Sequence, residues 1–153
     1  MKSHWTHRIA AANAPFTFAL LFIVAMRAQA EVVRPIKMTK TELDGSIFKR
    51  KDATHDIKGA NATTDVVTFT SKDAGFQTGL YQSGPLHEVD HDYPYNELLY
   101  FISGGVTLTS VDGSVMTVNA GEAVTIPRGW SGSFDTKGYT KLYVTYNPDD
   151  VKK

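Results

Sequence analysis

A run of acidic and histidine side chains at residues 87–91, HEVDH, has the clearest capacity for chemistry in this sequence. It matches H-E-x-x-H, the zinc-peptidase signature, in which two histidines on one face of a helix bind a zinc ion. Pro85 precedes the run, Pro94 follows it, and the surrounding residues have the periodicity of strands. On a strand, His87 and His91 would lie about 13 Å apart, whereas zinc binds histidine nitrogen at about 2 Å. The pattern therefore argues against a zinc peptidase.

Strand geometry favours a carboxylate site at the same place. Asp90 and Asp92 are two residues apart, so on a strand they point to one face with Cα atoms about 6.6 Å apart. Glu97 follows a turn at residues 93–96 and can return to that face in a hairpin. Three converging carboxylates need a cation, an arginine or shared protons. This predicts either a magnesium, manganese or calcium ion bound by Asp90, Asp92 and Glu97, or acid-base chemistry with Glu97 as the first catalytic candidate. The alternative is that Asp90 and Asp92 are solvent-facing charges at a strand end.

The elements that must position these residues are strands. From residue 65 onward, β-type runs alternate with turn residues, and no helical period interrupts them. Gly104-Gly105 and Asp112-Gly113 each lie between two apolar runs and can supply the positive φ of a two-residue hairpin. This pattern indicates an all-β sandwich or jelly-roll barrel. The predicted strands are 66–70, 76–82, 88–92, 97–103, 106–111, 115–119, 123–126 and 139–146.

The strand at 97–103 is apolar on both of its faces. Leu99 and Phe101 lie on one face, and Leu98, Tyr100 and Ile102 lie on the other. A strand of this kind is central in its sheet and covered on both sides. One face would line the barrel, and the other needs a second layer from the N-terminal segment or a second subunit.

The first thirty residues predict a secretory signal peptide. They contain basic but no acidic residues, then an apolar run and Ala28-Gln29-Ala30, which matches a small-residue cleavage site. We expect cleavage after Ala30 and a secreted or periplasmic protein; the alternative is a membrane anchor at residues 9–26.

The expected domain order is a signal peptide at 1–30, a lead-in of edge strand, short helix and loop at 31–64, a barrel at 65–148 and a tail at 149–153. A capping box at Thr39 and Glu42 starts the short helix, residues 32, 33 and 36 form the edge strand, and residues 58–64 form the loop.

The charge of the chain bears on its partners. The 153 residues are formally neutral, with 16 basic and 16 acidic side chains. Loss of Lys2, Arg8 and Arg27 with the leader would leave a formal charge of −3. A mildly acidic surface argues against a nucleic-acid partner, and after cleavage we expect no stable membrane partner. Because the chain has no cysteine, its core alone must hold the fold.

The spacing of glycines, acids and prolines resembles that of a known family. Residues 65–146 are similar to the cupin superfamily, in particular to the single-domain branch of ureidoglycine aminohydrolase and the ethanolamine-utilisation cupins. The resemblance implies a double-stranded β-helix barrel, often dimeric, with a small-molecule pocket at the motif residues. The first cupin motif is matched by Gly84, Asp90, Asp92, Glu97 and Gly104, the second by Gly121, Pro127, Gly129, Gly132 and Phe134, and a following K-x-Y strand by Lys141 and Tyr143.

The departures from the cupin motifs bear on function. Acids stand at both histidine positions of the first motif, and Gly132 stands at the histidine position of the second. Of the four usual metal ligands only Glu97 is unchanged, which argues against an iron or zinc site and leaves manganese, magnesium or calcium as the cation to expect, if any. A single bulge near Asp90 would turn His91 inward and restore one nitrogen ligand.

Aromatic residues are the remaining candidates for ligand binding. Five aromatic residues could form a wall around a ligand, namely Tyr81, Trp130, Phe134, Tyr143 and Tyr146. Trp130 is the best placed, beside the turn at residues 127–129, and ordinary core packing is the alternative. With Asp90, Asp92 and His91, they predict an exported cupin that binds a small polar metabolite. Such a protein could be an enzyme using metal-assisted or acid-base chemistry. The alternative is a non-catalytic sensor or structural cupin without its metal, and a homodimer is a further expectation.

Overall fold

The computed structural model of the chain describes residues 32–59 and 61–151. The predicted signal peptide and the apolar run at 9–26 lie outside the described residues. The helices of the described part are α1, Lys40–Leu43, and two 3₁₀ turns, Ser46–Lys49 and Pro148–Asp150. None of these is long and apolar enough to cross a membrane. The predicted capping box is present, because the Thr39 hydroxyl accepts a hydrogen bond from the Glu42 amide and the Glu42 carboxylate accepts one from the Thr39 amide.

Strands make up most of the described chain, and all of their pairings are antiparallel. The strands are β1 Thr54–Lys58, β2 Asn61–Thr70, β3 Phe76–Ser83, β4 Leu86–Asp90, β5 Asn96–Ser110, β6 Val115–Asn119, β7 Ala123–Ile126, β8 Gly132–Thr136 and β9 Tyr139–Tyr146. One sheet has the order β1-β2-β3-β9-β5-β7, and the other has the order β4-β8-β5-β6. This curled arrangement confirms the all-β jelly-roll prediction.

Strand β5 belongs to both sheets and joins them. Its first half pairs with β9 and β7, and its second half pairs with β8 and β6. The prediction of a hairpin at Gly104-Gly105 is therefore wrong, because the chain bends there without reversing. A register shift between Phe101 and Ser103 marks the bend, and Gly104 has φ +69° with Gly138 O only 2.0 Å from where a Cβ would stand. Asp112 and Gly113 do lie in the turn between β5 and β6.

Several predicted boundaries differ from the structure. Residues 61–64, predicted as loop, are the start of β2 and pair with β1, which was not predicted. Strand β8 was also not predicted, because the sequence GSFDT offers one large apolar side chain and no alternation. Strand β4 ends at Asp90 rather than at residue 92, since Asp92 has φ +55° and leaves the strand conformation. Residues 32, 33 and 36 do not form the predicted edge strand.

The core has two parts, one on each face of the larger sheet. Inside the barrel, Leu99 and Phe101 pack with residues of both sheets, including Val106, Val118 and Ile126. On the outer face, Val66 and Leu80 pack against Ile47, and Ile102 joins them together with Met38, Leu43, Phe48 and Ala53. The N-terminal segment thus supplies the second layer over part of this face. Leu98 and Tyr100, further along β5, remain 42% and 43% exposed.

Candidate functional site

A cavity of about 400 Å³ lies inside the barrel and is lined from β2, β3, β4, β5, β8 and β9. Strand alternation decides which residues reach it. Along β4, Glu88 and Asp90 line the cavity, whereas His87 points outward and its Nδ1 forms a hydrogen bond with Oδ1 of Asp135 on the surface. The volume falls within the usual range for small-molecule sites. The cavity is therefore the candidate site.

A buried ion pair stands in the cavity wall. The Lys141 ammonium lies 2.9 Å from Oε1 of Glu97, and the Tyr93 hydroxyl donates to Oε2. The side chains of Glu97 and Lys141 are only 4% and 11% exposed. Both carboxylate oxygens of Glu97 therefore already accept hydrogen bonds. Glu97 stabilises the charge of Lys141 and fixes the position of the Tyr93 ring. It is not a free acid or base in this arrangement.

Tyrosine rings surround the Lys141 ammonium. The nitrogen lies 5.3 Å from the centre of the Tyr81 ring and 5.9 Å from the centres of the Tyr139 and Tyr143 rings. These distances allow cation–π attraction, which is strongest where water is excluded. The wall of the cavity therefore stabilises a positive charge through both a carboxylate and aromatic faces.

Asp65 enters the cavity from β2 and contacts a tyrosine of β9. The Tyr143 hydroxyl donates to Oδ1 of Asp65 at 3.0 Å. Gly79, on the strand between them, makes room for this contact, because a Cβ at residue 79 would lie 2.4 Å from the Tyr143 ring. The sequence thus has a glycine on β3 at the point where the Tyr143 ring passes over this strand to reach Asp65 on β2.

Burial changes the acidity of the cavity residues. It raises the pKa of Asp65, although the Tyr143 hydroxyl partly offsets the effect, and it raises the pKa of Asp90, helped by the Glu88 charge. Burial and the Glu97 charge raise the pKa of Tyr93 and of Tyr95. The tyrosines therefore stay neutral, and Asp65 and Asp90 are the cavity carboxyl groups whose pKa burial raises.

The structure brings together some of the predicted site residues and separates others. Asp90, Glu97, Tyr81 and Phe134 all line the cavity. His91 and Asp92 are exposed and outside it, since the chain leaves the strand after Asp90. The predicted convergence of Asp90, Asp92 and Glu97 on one point is therefore wrong.

Trp130 also lies outside the cavity lining. Its ring packs against the barrel core, and its Nε1 donates to the Ser110 hydroxyl at 3.0 Å. The ring occupies the space beside Gly132, where a Cβ would lie 2.4 Å from Cζ2 of Trp130 and 2.4 Å from the Thr109 carbonyl oxygen. No side chain fits at residue 132 without a shift of these neighbours, so this backbone does not accommodate a histidine there.

The donor set of the cavity does not fit a metal ion. Among the residues described, no three His, Cys, Asp or Glu side chains are grouped closely enough to hold one. Glu97, the one usual ligand present, is occupied by the Lys141 ammonium and the Tyr93 hydroxyl. The ammonium supplies the positive charge that a buried carboxylate requires.

Sequence reasoning missed several residues of the site. Lys141 was noticed only as part of a motif, and Asp65, Tyr93 and Tyr95 were not selected at all, whereas Tyr143 was a candidate for the aromatic wall and does line the cavity. Part of the signal was available, because Tyr139, Lys141 and Tyr143 alternate along β9 and must share a face. Asp65 gave no local signal, since it reaches the cavity only through the pairing of β2 with β3.

Comparison with known proteins agrees with this geometry. Residues 70–143 match the EutQ-like cupin domain. The chain belongs to the cupin superfamily, in its EutQ-like branch. This confirms the family resemblance seen in the motif spacing. Among curated proteins, none matches this cupin.

Solved structures share the fold. A protein of unknown function from Pseudomonas syringae pv. tomato, of the DUF861 family, is 22% identical with a TM-score of 0.56; the match covers 61% of this cupin and 43% of that chain. A protein of unknown function from Rhizobium leguminosarum is 17% identical with a TM-score of 0.53 and is covered over 99% of its length by 75% of this chain. The EutQ protein of Clostridium difficile is 22% identical with a TM-score of 0.48, over 59% of this chain and 71% of that one. The cupin thus spans less than half of the Pseudomonas protein.

Proposed function

We propose that this chain is an exported cupin that binds a small polar metabolite in the barrel cavity. The observation that carries the proposal is the cavity of about 400 Å³ built around the Lys141–Glu97 pair and its tyrosines. Buried charges are costly unless their partners are fixed. A structural core of this size would be less costly with apolar side chains, so a pocket of polar groups indicates ligand binding.

A blocked cavity tests ligand binding. Thr145 lies on the cavity face of β9, and Thr145→Phe places a ring inside. Thr125→Phe makes the same change at an exposed position of β7 and is the matched control. We expect compounds from a broad panel of polar metabolites to raise the melting temperature of the wild type and of Thr125→Phe but not of Thr145→Phe. Absence of any binding compound, or equal binding by Thr145→Phe, would overturn the proposal.

The proposal extends to catalysis of a reaction on the bound metabolite. Asp65 and Asp90 are better acid-base candidates than Glu97, because their carboxyl groups have raised pKa values and no basic partner in an ion pair among the described residues. An enzyme would convert a bound compound, and Asp90→Asn would abolish turnover even at compound concentrations that saturate the variant. A sensor would bind the same compound without converting it, which product analysis by mass spectrometry distinguishes.

Export rests on the sequence of the leader. The basic start, the apolar run and the site after Ala30 are the supporting features. Mass spectrometry of the protein recovered from its producing cell would give a mature chain beginning at Glu31. An intact N-terminus in the membrane fraction would instead support the anchor at residues 9–26.

We also propose a homodimer through the uncovered part of the larger sheet. The patch consists of Leu98, Tyr100, Phe69, Phe76 and Tyr146, each between 38% and 49% exposed, and it contains no charged side chain. An uncharged patch can pair with its own copy about a twofold axis without burying a charge. Light scattering after gel filtration would give a dimer for the wild type and for Thr117→Lys on the other sheet, and a monomer for Leu98→Lys. A monomeric wild type at micromolar concentration would refute the dimer.

A further inference from the structure

The charges of the cavity are unbalanced. Among the residues that the structure describes, five carboxyl groups line it, but Lys141 is the one basic side chain, and its ammonium is paired with Glu97. The remaining carboxyl groups have no ion pair with a basic side chain among the described residues. They are Asp65 and Asp90, which are half-buried, and Glu88 and Asp150, which are exposed at the rim.

Two of these carboxyl groups line the cavity from different sheets. Asp65 lies on β2 of the larger sheet, and Asp90 lies on β4 of the other sheet. The Tyr143 hydroxyl proton is already directed to Asp65 and the Tyr93 proton to Glu97. Because these protons are already donated, the Tyr143 and Tyr93 oxygens can act toward a ligand only as hydrogen-bond acceptors, as ionised carboxylate oxygens do. A ligand that satisfies them must bring hydrogen-bond donors.

The tyrosine rings that line the cavity favour a positively charged ligand. The rings of Tyr81, Tyr139 and Tyr143 already surround one ammonium. Neutral tyrosine rings attract cations through their faces, while an anionic ligand would have to lie beside carboxylates in a partly dry site at a cost in Coulomb energy. Acceptors, negative charge and aromatic faces thus favour one class of compound.

We infer that the cavity selects small organic cations, with the N–H donors of an amine placed against Asp65 and Asp90. This inference rests on the proposed binding function and specifies its ligand class. The carboxylates supply charge-assisted hydrogen bonds, and the tyrosine rings cover the carbon skeleton.

A panel of four-carbon compounds tests the charge preference. It consists of 1,4-diaminobutane, 4-amino-1-butanol, 1,4-butanediol and succinate, which have similar length and differ in charge. Calorimetry with the full chain should give the tightest binding for the diamine, weaker binding for the amino alcohol, and none for succinate. Binding of succinate or of the diol as tight as that of the diamine would overturn the inference.

Substitutions of the two cavity aspartates test whether they bind the diamine. Asp65→Asn and Asp90→Asn should each weaken diamine binding about tenfold, which is the usual effect of losing one charge-assisted hydrogen bond. Asp92→Asn, two residues from Asp90 but outside the cavity, is the matched control and should bind like the wild type. Unchanged affinity in both cavity variants, with normal circular dichroism spectra, would refute the assignment.

The outcome also separates this inference from the proposed function. If neutral or anionic metabolites bind and are excluded by Thr145→Phe while amines do not bind, the binding function stands and the cation preference is wrong. If no compound of any charge binds, both are wrong.

Discussion

Oε1 of Glu97 and the ammonium nitrogen of Lys141 lie 2.9 Å apart inside the barrel, although 44 residues separate them in the chain. In the cupin motif, Glu97 stands where a metal ligand is usual. Here its partner is a lysine held among three tyrosine rings. The carboxylate at this motif position is therefore paired with a positive charge from the chain itself.

The ion pair should contribute to stability as a unit. Glu97→Gln and Lys141→Met each leave one buried charge without its partner, so each should lower the free energy of unfolding by about 3 kcal/mol. The double variant should lose clearly less than the sum, because neither charge remains. Urea unfolding measures all three. Lys40→Met, which breaks an exposed pair with Asp44, should leave the stability near that of the wild type. Strict additivity would contradict a direct interaction.

Asp65 should make stability depend on pH. Burial raises the pKa of Asp65, so the folded protein keeps this proton to a higher pH than the unfolded chain does. The contribution of this carboxyl group is fully present below its unfolded pKa of about 3.9 and is lost as the pH rises through the raised folded pKa.

Asp65→Asn removes this titration while leaving an oxygen to accept from Tyr143. The variant should therefore be more stable than the wild type at pH 7, and the difference should shrink toward acidic pH. Urea unfolding between pH 4 and pH 8 measures the difference. A constant difference across that range would show that Asp65 acts through packing and not through its charge.

Divalent metals should leave the protein unaffected. Because Lys141 and Tyr93 occupy the carboxylate of Glu97, manganese, magnesium and chelator should not change the melting temperature. Elemental analysis of protein purified without chelator provides the second measurement. A stoichiometric manganese, magnesium or calcium ion would contradict the fit described for the cavity.

Gly104 should be irreplaceable at the bend of β5. Gly104→Ala would place a Cβ 2.0 Å from Gly138 O at a φ of +69°, so it should cost at least about 3 kcal/mol. Gly113→Ala is the matched control, since Gly113 also has positive φ but nothing within 4 Å of a Cβ. It should cost about 1 kcal/mol. Equal losses in urea unfolding would mean that backbone strain alone decides the effect.

Local pattern predicted most of the strands and the jelly roll, and motif spacing predicted the family. Alternating apolar residues and turn glycines act over a few positions, so these features could be seen without the structure. The hairpin predicted at Gly104-Gly105 failed for a physical reason, because the same positive φ that allows a reversal also allows a bend. Strand β1 could not be predicted from the sequence pattern, since all of its residues are exposed and it is defined by its backbone pairing with β2.

The sequence by itself determined an all-β barrel of the cupin type and placed Glu97, Asp90, Tyr81 and Phe134 among its candidate residues. Tertiary structure alone decided that Asp92 and His91 lie outside, that Trp130 fills the space beside Gly132, and that the Lys141 ammonium faces Glu97. The contact between Asp65 and Tyr143 joins residues 78 positions apart. The register of strands distant in sequence sets such contacts, and local periodicity carries no information about that register.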